Sequence, residues 1–150
     1  MFAEDARLGR RLRRALPFAV SVLVALPLGA SAPPGQYDYG AGDGWATDVR
    51  TGLTWQQTPP SSLYAWADAQ AYCRAQGARV PSVKELETLV DESTRNPALD
   101  RSTFFLGATP VVWTSSASAA DTTLAWVVNL DLGVTGFSPL ADQEAVLCVR

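Results

Sequence analysis

The sequence predicts an α+β domain. Three patterns point there: a hairpin-like stretch rich in tryptophan and threonine near residue 45, two helical apolar stripes between residues 63 and 90, and four strand-like apolar runs after residue 110. Apolar residues make up 47% of the 150 and charged residues 18%, so the chain can bury a core and does not have a disordered composition. A chain of this length suits one ordinary domain.

Residues 33–44 are rich in Pro and Gly and read as a linker and turn. A phosphate-cradling loop at Gly40, Gly42 and Gly44 would need a strand before it and a helix after it, and a calcium-binding Gly-Asp repeat would need stacked copies. Neither pattern is present. Trp45-Ala46-Thr47-Asp48 and Leu53-Thr54-Trp55-Gln56 flank Val49-Arg50-Thr51-Gly52, a hairpin in which Gly52 supplies the positive φ of a tight turn.

Pro59 and Pro60 end that pattern, and Ser61 or Ser62 is placed to cap a helix over 63–76. Trp66, Ala69 and Cys73 share one face of this helix, and Gly77 stops it. Ser82 and Glu85 have the spacing of a capping box, and Val83, Leu86, Leu89 and Val90 form the stripe of a second, shorter helix. Residues 91–110 show no sustained period and are predicted to form a long loop pinned by Leu99, Phe104, Phe105 and Leu106. Strands are predicted at 111–115, 124–130, 134–137 and 145–149, with a turn at Asp131-Leu132-Gly133.

Charge is unevenly spread. Residues 1–32 hold Arg7, Arg10, Arg11, Arg13 and Arg14 against Glu4 and Asp5, a net of +3, so residues 33–150 carry −6 of the chain's overall −3. An acidic body with scattered cations is a poor match for nucleic acid or sulfated polysaccharide. The basic stretch leads into an uncharged apolar run at 15–28, too short to span a bilayer, and then into Ala30-Ser31-Ala32. Residues 1–32 therefore read as a signal peptide, with removal or retention as an anchor both open. Contact with a membrane is expected only through that segment, and the domain at 45–150 is expected outside the cytoplasm.

The chain has no histidine, which removes the commonest general base, the commonest metal ligand and every Ser-His or Cys-His pair. Its two cysteines, Cys73 and Cys148, allow one intramolecular bridge. In an oxidising compartment a structural disulfide is the stronger reading. A metal-binding or reactive thiol pair would lack both CxxC spacing and a histidine.

Thr51-Gly52-Leu53-Thr54-Trp55-Gln56, Trp66-Ala67-Asp68-Ala69 with Tyr72-Cys73, and Arg79-Val80-Pro81-Ser82-Val83-Lys84-Glu85-Leu86 occur in an order that resembles the DUF1566 family, also called the Lcl C-terminal domain family after a collagen-like bacterial adhesin. Asn96-Pro97-Ala98-Leu99-Asp100, Trp113-Thr114-Ser115-Ser116, Ala125-Trp126-Val127-Val128 and Cys148-Val149-Arg150 continue the match. The resemblance covers roughly residues 45–150. It implies a C-type-lectin-like fold, with two helices packed on a small twisted antiparallel sheet beside a long loop region. It also implies a disulfide from the first helix to the last strand, an exported bacterial protein and, for some members, adhesion or glycan binding at the cell surface. The family's common Leu-Pro-Thr is Val80-Pro81-Ser82 here, and Ser can cap as Thr does. A collagen-like region and a basic glycan-binding surface are absent from this sequence.

Asn129 and Asp131 alternate along a predicted strand, where both would offer oxygen to calcium, and the sequence does not place Asp121 or Asp142 beside them. Only two oxygens are argued, fewer than calcium takes, and the bland reading is a solvated strand edge; no cofactor or metal is expected. Trp55, Trp66, Trp113 and Trp126 sit inside the matching motifs and are expected in the core, whereas Trp45, with Tyr37 and Tyr39, is the better candidate for an exposed ligand-stacking patch. Glu85 with Glu87, or Asp91 with Glu92, lie too close along one short helix and its end to flank a substrate as glycosidase carboxylates do. The expected function is an exported, non-enzymatic binding module that takes a glycan or protein ligand, using the 91–124 region and strand-edge side chains. The alternative is a structural envelope protein that docks a partner polypeptide.

Overall fold

Residues 32–40 and 42–150 are described in a computed structural model of the chain. The proposed export segment lies outside them, apart from Ala32. The elements are β1 (Tyr37–Asp38), β2 (Trp45–Asp48), β3 (Thr54–Gln56), α1 (Trp66–Ala75), α2 (Val83–Glu87), β4 (Val111–Ala117), β5 (Leu124–Asn129) and β6 (Val134–Pro139). They form two antiparallel three-stranded sheets, β1-β2-β3 and β4-β5-β6. The mixed α/β class follows the sequence, but the single small sheet expected there is divided in two.

The β2–β3 hairpin turns where predicted. Asp48 Oδ1 and Oδ2 accept from the Arg50 N–H and the Thr51 hydroxyl, and Gly52 sits at φ +75°. Tyr37–Asp38, in the Pro/Gly-rich stretch, adds β1 by pairing with Thr47 and Asp48.

Helix α1 starts three residues later than predicted, and neither Ser61 nor Ser62 caps it. Tyr64 and Glu144 exchange backbone hydrogen bonds (2.9 and 3.1 Å), which keeps residue 64 extended. The N-cap is Ala65, without a side-chain bond, and the Trp66 N–H donates instead to the Leu140 carbonyl at 3.1 Å. At its other end Gly77, at φ +67°, closes the helix as predicted: the Gly77 N–H donates to Arg74 O and the Ala78 N–H to Cys73 O, the pairing of a Schellman motif.

Helix α2 has five residues, fewer than its apolar stripe implied. Leu89 and Val90 continue in tight i→i+3 turns, donating to Leu86 O and Glu87 O. The capping box is formed: Glu85 N–H donates to Ser82 Oγ, and Ser82 N–H donates to Glu85 Oε2 at 2.8 Å.

Residues 145–149, expected as a strand, are extended without a regular ladder, because their partners change along the segment. Ala145 bridges Val112 in parallel, whereas Val149 bridges both Trp55 and Arg79 in antiparallel fashion. Thr54 and Arg150 exchange backbone bonds, and the Gln56 N–H donates to Cys148 O. The segment thus covers the outer edge of β3 with one end and the start of β4 with the other.

Its side chains divide the interior. Ala145, Leu147 and Val149 enter a cluster with Trp55, Leu86, Leu99, Phe104, Val112, Val128 and Leu130. Val146 and Cys148 enter a second cluster with Ala69, Cys73, Val80, Trp113, Ala125 and Val127. Successive residues of an extended chain point to opposite sides, so an unbroken apolar run is what burial on both faces requires. Strands β4 and β5 alternate between the same clusters, with Val112 and Val128 on one side and Trp113 and Val127 on the other. Helix α1 joins the second cluster through Ala69 and Cys73, and α2 joins the first through Leu86. A disulfide ties Cys73 of α1 to Cys148 across 75 residues, with Cα atoms 5.5 Å apart.

Candidate functional site

Residues 91–110 contain no helix or strand and are fixed by polar chemistry at a few points. Asp100, 7% exposed, is the main one: its carboxylate accepts from the Ser102 N–H, the Ser102 hydroxyl and the Thr103 hydroxyl (3.0, 2.8 and 2.7 Å). Tyr39 Oη lies 3.0 Å from Thr103 Oγ1, and Gln57 Nε2 donates to the Thr103 carbonyl. Tyr37 meets Phe104 edge-on, with ring centroids 5.3 Å apart. Burial pushes the Tyr37 hydroxyl's pKa upward, and the nearby negative charges of Asp48 and Asp100 add to the shift, so it stays protonated. Further along, the Ala98 N–H donates to Leu130 O (2.7 Å) and the Asn96 N–H to Asp131 O (2.9 Å), which ties the loop to the turn after β5.

On this fixed base lies a pocket of about 430 Å³, lined by Asn96, Pro97, Arg101, Phe104 to Gly107 and Asp131. Phe104 is buried, but Phe105 is 56% exposed. The expectation that both phenylalanines anchor the loop is therefore corrected: neighbouring side chains on a non-helical segment point to opposite sides, and the Phe105 N–H is held by Gln57 O. That leaves an aromatic ring at the pocket beside one guanidinium and one carboxylate. Arg101 and Asp131 make no ion pair among the described residues. Such a pocket can stack on a flat apolar face and hydrogen-bond polar groups at its rim.

The three residues singled out in the sequence have different settings. Asp131 borders the pocket. Asn129 does not share a strand with it, because β5 ends at Asn129, whose Oδ1 accepts from the Asp131 and Leu132 N–H groups (3.0 and 3.1 Å) to hold the turn. Trp45 lies on β2, half-buried, with the Arg150 guanidinium over its ring at 4.3 Å and Asp43 paired to that guanidinium at 3.3 Å. Of the other aromatics, Trp55 and Trp113 are fully buried, while Trp66 and Trp126 are half-buried.

The acidic pairs are engaged elsewhere. Arg79 forms a two-pronged pair with Glu85 (2.8 and 2.6 Å), and this hydrogen bonding, with help from Ser82, holds the Glu85 carboxyl down to about 2. Lys84 pairs with Glu87 at 2.9 Å, and Asp91 accepts from Ser93. Hydrogen bonds from Thr123 lower the pKa of exposed Asp121. Among the described residues, no group of three or more His, Cys, Asp or Glu is arranged to hold a metal ion, and no helix is long and apolar enough to cross a membrane.

The pocket residues Arg101 and Phe105 carried no sequence signal of their own. The adjacent phenylalanines in an aperiodic stretch were the one available hint, since both rings of such a pair rarely enter the same core. Among known proteins, the family described as the Lcl C-terminal domain matches the chain over residues 44–150, and no curated protein matches it.

Proposed function

The chain belongs to the Lcl C-terminal domain family, and from that premise we propose that it is an exported, non-enzymatic binding module of C-type-lectin-like architecture that recognises a glycan at the cell envelope or outside it. The observation that carries this reading is Phe105, exposed on a loop pinned beneath it by Asp100 and flanked by Arg101 and Asp131. A pyranose ring offers a C–H face for the phenyl ring and hydroxyls for the charged pair. A pre-fixed loop spends less free energy on ordering when ligand binds. The Cys73–Cys148 disulfide supports a location where thiols oxidise.

A glycan array probed with the domain, with and without calcium, tests the proposal. Binding to defined glycans that Phe105→Ala abolishes, with thermal unfolding unchanged, is the expected result. An array without hits for the intact, disulfide-bonded protein overturns it, and so do hits that survive Phe105→Ala.

A further inference from the structure

The two sheets present four outer edges, and three are short or covered. The outer edge of β3 is closed by the 145–150 segment, that of β4 is bonded by Ala145 at its start and by Pro81 at Ser115, and β1 has only two residues. The outer edge of β6, six residues long, has no partner among the described residues. Natural edge strands are commonly protected by charge, by a bulge or by a covering element. Here the ten residues from Leu132 to Ala141 contain no charge, and Leu132, Val134 and Phe137 are 46%, 51% and 49% exposed.

The backbone groups facing outward follow from the register. The Leu140 N–H donates to Thr123 O, which makes Thr123 and Leu140 a bonded pair. Bonded and non-bonded pairs alternate along an antiparallel ladder, so Ser138, Gly136 and Val134 bond to β5. Thr135 and Phe137 therefore direct their N–H and C=O groups away from the sheet. Phe137 also stacks on Trp126, with centroids 4.1 Å apart, forming an apolar wall beside that edge.

Charge selects the occupant. A pocket of about 540 Å³ at the start of β6 is lined by Glu87, Val90, Glu92, Gly133, Val134 and Thr135. Glu92 is exposed and forms no ion pair among the described residues. We propose that β6 receives an extended polypeptide from another protein as a fourth strand, uncharged where it lies along Thr135 and Phe137 and basic at the end beside Glu92. A second copy of this chain fits worse. Antiparallel self-pairing would bring two acidic bodies together and set the acidic end of one β6 against the Asp142 end of the other, where Pro139 offers no N–H. This surface is separate from the Phe105 pocket, and the proposal stands whether or not a glycan binds there.

The test uses two fluorescein-labelled peptides of alternating Val and Thr, one ending in two arginines and the other in two glutamates, titrated with the disulfide-bonded protein by fluorescence anisotropy. The arginine peptide is expected to bind about tenfold tighter, to weaken with salt, and to slow hydrogen exchange at the Thr135 and Phe137 amides. Glu92→Lys should reverse the preference without altering the fold. Thr135→Pro, which deletes one outward N–H and no bond to β5, should weaken both peptides. Equal or absent binding of the two, or a preference unmoved by Glu92→Lys, overturns the proposal. A dimer by sedimentation that binds neither peptide overturns it in favour of a second copy.

Discussion

The two helices are held in opposite ways. Helix α1, ten residues long, has no side-chain cap at its start; a carbonyl from Leu140 receives its first N–H, and the Cys73–Cys148 bond fixes its last turn to the 145–150 segment. Helix α2, half that length, draws most of its polar support from nearby residues, the Ser82–Glu85 box with Arg79 clamped onto the same carboxylate, and one distant bond from its first N–H to Ser116 Oγ at 3.1 Å. A five-residue helix is far below the length that is stable alone, so its caps and its Leu86 contact decide whether it forms. The covalent tie is at one helix and the side-chain capping box at the other, so different perturbations should release them.

The largest separation comes from Cys73→Ala with Cys148→Ala, which frees the 75-residue loop and should lower unfolding free energy in denaturant by about 2–5 kcal/mol. Amide exchange should rise in α1 ahead of α2; equal loss in both would dissolve the contrast. Gly133→Ala comes next. At φ +70° an added Cβ would lie 2.8 Å from Val90 Cγ1 and 3.3 Å from Ala98 Cβ, so strain and the displaced turn after α2 should cost about 1–3 kcal/mol by thermal or chemical unfolding. A Gly133→Ala protein as stable as the parent would show that this turn yields freely.

Ser82→Ala should cost about 1 kcal/mol, with enhanced exchange confined to α2. The mildest lever is acid. Glu85 titrates near 4.5 when unfolded and is held at about 2 when folded. Its contribution is complete above pH 4.5 and declines as pH falls toward 2, since the unfolded chain takes up the proton first. Acid titration followed by exchange should loosen α2 while α1 stays docked, and Glu85→Gln should flatten that dependence. Identical acid profiles for the parent and Glu85→Gln would remove Glu85 from the account.

Local rules made α2's cap, the Gly77 stop and the β2–β3 turn legible in the sequence, because each is set by residues within a few positions of one another. Helix α1's late start was not legible, since it depends on Tyr64 pairing with Glu144, eighty residues away. The 145–149 run announced burial on both faces through its unbroken apolar character, but not that its partners would change from one residue to the next. At the loop pocket, Asp131 stood out by chemistry. Arg101 and Phe105 did not, because exposure in an aperiodic loop is decided by anchors such as Asp100 that no period reveals.

The placement of residues 144–150 sets a schedule for assembly. A ribosome delivers them after everything they join, so β3, β4 and both apolar clusters wait for their last occupant while the preceding hundred residues are already made. Contacts between such distant stretches form slowly and reward the chain only once both are present. Until then both clusters lack the run that completes them, and the earlier elements reach full burial together in one late step.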